Sequence, residues 1–126
     1  MANMKRRIIV IDDSSEICTV LQQVLIRKGG YEVETVLDSL QAEKKIREFA
    51  PDLAIVDLFM PNKDGASIIN AMQNDSLMKD IKIIAMSGRL KEEVDEILAG
   101  LRIDAFLEKP FSFELLLDVV EKILEE

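Results

Sequence analysis

Ile8-Ile9-Val10-Ile11-Asp12-Asp13 decides the fold class. Four branched apolar residues in a row leave no polar face, so the run suits a strand buried on both sides, as in a parallel sheet covered by helices. It stops on two carboxylates. Four more apolar runs follow: Val33–Val36, interrupted by Glu34; Leu53–Val56, ending on Asp57; Ile81–Met86, ending on Ser87-Gly88; and Ala105–Leu107, just ahead of Lys109-Pro110. The second run alternates from Glu32 to Val36, as an edge or half-exposed strand does.

Helical patterns separate the runs. Ile17, Val20, Leu21, Val24 and Leu25 share one face, and Gly29-Gly30 ends that helix. Asp38 and Gln41 have the spacing of a capping box, and Ala42, Ile46 and Phe49 carry the stripe on to Pro51. A third helix is marked by Ile68, Ile69 and Met72 after Gly65, and a fourth by Val94, Ile97, Leu98 and Leu101. Ser112 caps a fifth, with Phe113, Leu116, Leu117, Val120, Ile123 and Leu124 on its apolar face. Strands alternating with helices predict an α/β fold: a five-stranded parallel sheet, order 2-1-3-4-5, with helices on both faces (flavodoxin-like). A length of 126 residues fits one domain, 1–126.

Composition narrows the chemistry. The chain has 24 acidic and 16 basic residues, so its net charge of −8 disfavours nucleic-acid and anionic-membrane partners. It has no histidine and one cysteine, which excludes Ser-His-Asp catalysis, a histidine phosphate carrier and the usual Cys/His zinc sites. Cys18 lies within a helical apolar pattern and reads as a structural thiol. The apolar run Ile8–Ile11 is too short for a signal peptide, and no segment approaches a membrane span, so a cytoplasmic location is expected.

In this fold ligands bind beyond the carboxyl ends of the strands, near the switch between the first and third. Asp12, Asp13, Asp57, Ser87, Gly88 and Lys109 all fall at those ends. A lone strand-end Asp is more often a cap or turn former. Three carboxylates together are different: a pair about 4 Å apart repels by roughly 4 kcal/mol at an effective dielectric of 20. Such a group either raises a pKa or recruits a cation. Oxygen donors select a hard ion, Mg²⁺ with Mn²⁺ as an alternative. With Lys109 as a second positive charge, and Ser87 and the Gly88 N–H as donors, the set suits binding and in-line transfer of a phosphoryl group.

Four blocks in order, Val10-Ile11-Asp12-Asp13, Val56-Asp57-Leu58-Phe59-Met60-Pro61 with Asp64-Gly65, Met86-Ser87-Gly88, and Phe106-Leu107-Glu108-Lys109-Pro110-Phe111, resemble the response-regulator receiver domain of two-component signalling systems. The resemblance spans the whole chain. It implies that Asp57 is the phosphoacceptor, charged by a sensor histidine kinase or a phosphotransfer protein. Asp13 would bind Mg²⁺ directly and Asp12 mainly through water, with the Phe59 carbonyl as a further ligand. Lys109 would pair with the phosphoryl oxygens. Ser87 would bond to them after phosphorylation, and Phe106 would be the aromatic that moves with it. The Lys109-Pro110 bond is expected to be cis. Phe59 and Arg89 occupy variable positions flanking the path of an attacking water, and would tune phosphoryl lifetime.

On this reading the protein is a switch rather than an enzyme with turnover on a separate substrate. Its fourth helix, fifth strand and fifth helix would form the face that answers to a protein target or a fused output domain; a homodimer stays open. Three competitors share the architecture. An aspartate-nucleophile phosphohydrolase needs an acid where Phe59 stands. A flavin-binding module needs a Ser/Thr/Gly-rich phosphate loop where Asp13-Ser14-Ser15-Glu16 stands. A receiver fold acting only as an interaction module has nothing in the site residues to support it.

Overall fold

A computed structural model describes residues 5–125. The strands are β1 (Arg7–Ile11), β2 (Glu32–Val36), β3 (Leu53–Asp57), β4 (Lys82–Ser87) and β5 (Ala105–Glu108). They pair in parallel in the order β2-β1-β3-β4-β5, as expected. Helices follow the strands in turn: α1 (Ser15–Gly29), α2 (Ala42–Phe49), α3 (Gly65–Gln73), α4 (Lys91–Leu98) and α5 (Phe113–Leu124).

The apolar strand runs feed two cores, because successive side chains leave a strand on opposite faces. Ile8, Val10, Leu53, Ile55, Ile84 and Met86 meet Leu21 and Leu25 of α1 and Leu116 and Val120 of α5. Ile9, Ile11, Ala54, Val56, Ile83 and Ala85 meet Ile46, Phe49, Ile68, Ile69, Met72 and Val94 of α2, α3 and α4. A single run of branched residues thus serves both faces, which is why β1 and β3 show no polar alternation. At the edge, β2 alternates only in part: Glu32 and Glu34 are exposed and Val33 is buried, but Val36, on the same face as the two glutamates, is buried in the α2/α3/α4 core.

Caps set where helices begin. Ser14 accepts from the Ile17 N–H, Asp64 from Ser67 and Ser112 from Leu115. Gly30, at φ 72°, closes α1 in the left-handed conformation. Four local readings shift. Leu101, assigned by spacing to the fourth helix, lies past the end of α4 at Leu98. Asp38 caps a 3-10 turn at Ser39–Gln41 by accepting from the Leu40 N–H, and α2 starts only at Ala42, so no capping box forms. Ile81 is buried but precedes β4. Val20 and Phe113, assigned by spacing to core stripes, are 38% and 47% exposed. They sit on the shoulders of their helices and, with Ile17, Pro110 and Phe111, line an open apolar groove beside Lys109.

Candidate functional site

The parallel sheet brings the carboxyl ends of β1, β3, β4 and β5 to one edge. There Asp12 and Asp57 are 1% and 5% exposed, whereas Asp13 stands in solvent. One carboxylate oxygen from each of the three lies within 4.8 Å of the others. Lys109, just past β5, reaches the same group, its Nζ 2.9 Å from Asp12 Oδ2 and 3.6 Å from Asp57 Oδ1. The ammonium therefore holds Asp12 more closely than Asp57, a preference not readable from the sequence. The Ser14 N–H donates to Asp12 Oδ1 at 2.9 Å, and the Phe59 N–H approaches Asp57 Oδ1 at 3.4 Å.

Burial pushes the Asp57 carboxyl up to about 6, and the neighbouring Asp12 and, less strongly, Asp13 push the same way. Lys109 and the Phe59 N–H pull it down but do not compensate. Three carboxylates against one ammonium leave the cluster short of positive charge. The donors are all oxygen and unevenly solvated, with Asp13 at the mouth, and this suits a hydrated hard cation such as Mg²⁺. The pocket rests on a thiol: Cys18 Sγ donates to the Asp12 carbonyl at 3.3 Å, and burial, then the Asp12 charge, lifts that thiol to about 11. It is a buried structural cysteine, as its place in the helical pattern suggested.

Around this centre the remaining side chains fall into place. Ser87 is fully buried at the end of β4, and its Oγ accepts from the Arg89 N–H at 2.9 Å. Arg89 then turns over the Phe59 ring, its guanidinium carbon 4.0 Å from the centroid, a cation–π contact. Sequence spacing placed both residues at the site without indicating that they touch. Phe106 is half-buried on β5, against the α2/α3/α4 side of the core. The Lys109-Pro110 bond is cis, and the Lys109 N–H donates to the Ser87 carbonyl at 2.8 Å. Gly88 follows Ser87 in a bend outside the strand.

Two further residues belong to the site. A Cβ on Gly65 would lie 2.2 Å from the Asp57 carbonyl oxygen, so only glycine lets α3 start this close to the end of β3. Its place directly after Asp64 was the signal in the sequence. Ser39 is 3% exposed, its hydroxyl spent on the loop after β3. A lone serine in a turn carries no such signal.

The geometry agrees with what comparison finds. The transcriptional regulatory protein PrrA of Mycobacterium leprae is 33% identical over 120 residues, 94% of this chain and 49% of that protein. This chain therefore spans about half the length of PrrA. The chemotaxis protein CheY of Bacillus subtilis is 27% identical over 121 residues, 96% of this chain and 99% of CheY. Among solved structures, the signal receiver domain of a DNA-binding response regulator from Colwellia psychrerythraea superimposes with a TM-score of 0.88 at 25% identity, covering 97% of this chain and 100% of that one. The family model described as the response regulator receiver domain matches residues 8–121. On this fold, this site and these relatives, the chain belongs to the receiver domains of response regulators.

Proposed function

We propose that this receiver takes a phosphoryl group from a phosphohistidine of a sensor kinase or phosphotransfer protein onto Asp57. The observation that carries the reading is the buried Asp57 carboxylate, grouped with Asp12 and Asp13 and 3.6 Å from the Lys109 ammonium. An Asp57 oxygen forms the new O–P bond while the P–N bond to the donor imidazole breaks, and the imidazole nitrogen keeps the electron pair. Asp57 must be ionised to attack, which a carboxyl near 6 satisfies at neutral pH. Asp12, Asp13, Asp57 and the Phe59 carbonyl would hold Mg²⁺, whose charge, when bound, offsets the carboxylates and the incoming phosphoryl oxygens. Lys109 orients and neutralises the same oxygens from the opposite side.

After transfer, Ser87 Oγ turns toward the phosphoryl group and Phe106 moves into the space it leaves, remodelling the face of α4, β5 and α5 for a protein target. Arg89 and Phe59, stacked together, cover the approach of water and lengthen the life of the acyl phosphate. The same ring argues against a phosphohydrolase, since it cannot act as the acid such an enzyme needs two residues past its nucleophile.

The test is intact mass after incubation with acetyl phosphate and Mg²⁺. One phosphoryl group is expected, lost on chelation and absent from Asp57→Ala. Undiminished specific labelling of Asp57→Ala refutes the assignment.

A further inference from the structure

Among the described residues, Ser39 is a buried polar side chain that phosphoryl chemistry does not use. It opens the 3-10 turn after β2, and its hydroxyl reaches the loop joining β3 to α3. Ser39 Oγ donates to the Pro61 carbonyl at 2.7 Å and accepts from the Lys63 N–H at 3.1 Å. Both capacities of the hydroxyl are spent on the peptide units flanking Asn62. Asn62 itself sits at φ 74°, a left-handed conformation that asparagine tolerates better than most residues. A second tether runs in parallel, an ion pair between Lys63 Nζ and Glu43 in the first turn of α2. Ser39 from the 3-10 turn and Glu43 from α2 thus converge on Lys63, one on its backbone N–H and the other on its side chain.

The far end of the loop is held differently. The Leu58 N–H donates to the Met86 carbonyl and the Gly65 N–H to the Leu58 carbonyl, each at 3.0 Å. Between these anchors stand Phe59 and Met60. Phe59 supplies the N–H near Asp57 Oδ1 and the ring under Arg89. The stretch carrying Phe59 is therefore pinned at Leu58 by the sheet and at Pro61–Lys63 by Ser39.

We propose that Ser39 is a positioning residue for the phosphoacceptor loop, holding the Phe59 peptide where its carbonyl completes the cation-binding set around Asp57. The inference rests on the reading of that site given above. Ser39 touches no reacting atom and acts through the loop.

The experiment uses the full chain with Ser39→Ala, Ser39→Cys and Ser39→Thr. Cysteine nearly keeps the shape and loses the strong hydrogen bonds, whereas threonine keeps the hydroxyl. Under metal-free conditions, amide hydrogen exchange at Lys63 should rise roughly tenfold in the alanine and cysteine variants, the factor expected when a buried hydrogen bond worth about 1.4 kcal/mol is lost. Mg²⁺ titrations followed by the Phe59 and Met60 amide shifts should give a Kd raised about three- to tenfold in both, at a temperature where each variant is fully folded, with threonine restoring the wild-type value. If the two variants lose global stability while Mg²⁺ affinity stays within twofold of wild type, Ser39 is merely structural and the inference is overturned. A wild-type protein that neither binds Mg²⁺ at these amides nor accepts a phosphoryl group overturns the functional reading itself, and this inference with it. Normal wild-type binding with unmoved variants overturns the inference alone.

Discussion

Replacing Asp57 with asparagine should make the metal-free protein more stable. Its carboxyl rises from an ordinary 3.8 to about 6 in the folded state, because burial and the neighbouring acids penalise its charge. Each unit corresponds to about 1.4 kcal/mol between the protonation states, so the penalty has a ceiling of about 3 kcal/mol. The pocket opens to water at Asp13, and screening there reduces the expectation to about 1–2 kcal/mol. Between pH 4 and 6 the native chain binds a proton that the unfolded chain has released. Stability on account of this group therefore falls as pH rises through that window, and the penalty is constant above it. Asparagine holds no charge, so its advantage over wild type should be full at pH 7.5 and shrink toward zero at pH 4.5. Urea unfolding of both proteins in a chelating buffer, at pH 4.5, 6 and 7.5, measures the difference directly. An asparagine variant no more stable than wild type at pH 7.5, or an advantage that does not change with pH, would falsify the claim that the site stores charge repulsion.

On the proposed reading, breaking the Arg89–Phe59 stack should shorten the phosphorylated state: Phe59→Asn and Arg89→Glu should each speed loss of the phosphoryl group about tenfold, equivalent to about 1.4 kcal/mol of barrier. Decay after rapid removal of donor is the measurement, and unchanged half-lives for both variants would rule out shielding. Ser87→Ala should still be labelled at Asp57, yet a fluoroberyllate complex should perturb the amides of α4, β5 and α5 less than in wild type. Shifts confined in wild type to the loops around Asp12, Asp13 and Phe59 would sink the switch. Gly65→Ala should cost about 1–3 kcal/mol by urea unfolding, because the new methyl must displace the backbone at Asp57 or α3. A loss under 0.5 kcal/mol would mean that the close approach relaxes freely.

The alternation of strands with helices and the strand-end placement of Asp12, Asp13, Asp57, Ser87 and Lys109 were legible because each depends on one-dimensional pattern; the strand order came from the doubly wound folds that this alternation resembles. Unbroken runs mark two-sided burial, and polar residues directly after them must lie at the carboxyl edge. Contacts between elements were not legible in that way. Arg89 and Phe59 lie thirty positions apart and meet only because β3 and β4 are neighbours. Lys109 Nζ lies 2.9 Å from Asp12 Oδ2 and 3.6 Å from Asp57 Oδ1, an inequality that no spacing encodes. Val20 and Phe113 satisfied helical periodicity and still face outward, since a wide apolar stripe covers more of a helix than its neighbours can bury. Ser39 shows the opposite failure, a small polar residue in a turn whose burial depends wholly on the loop that crosses it.

The thiol beneath Asp12 gives the molecule a built-in clock. Cys18 is the chain's single cysteine; in the folded protein it is buried in the core between the sheet and helices α1 and α5, and burial pushes its thiol up to about 11. An alkylating reagent at neutral pH must wait for that part of the protein to open before it meets a reactive thiolate. Modification rate therefore times the opening of the floor of the pocket, with no engineered label and no competing thiol, and can be followed as cations or phosphoryl donors come and go.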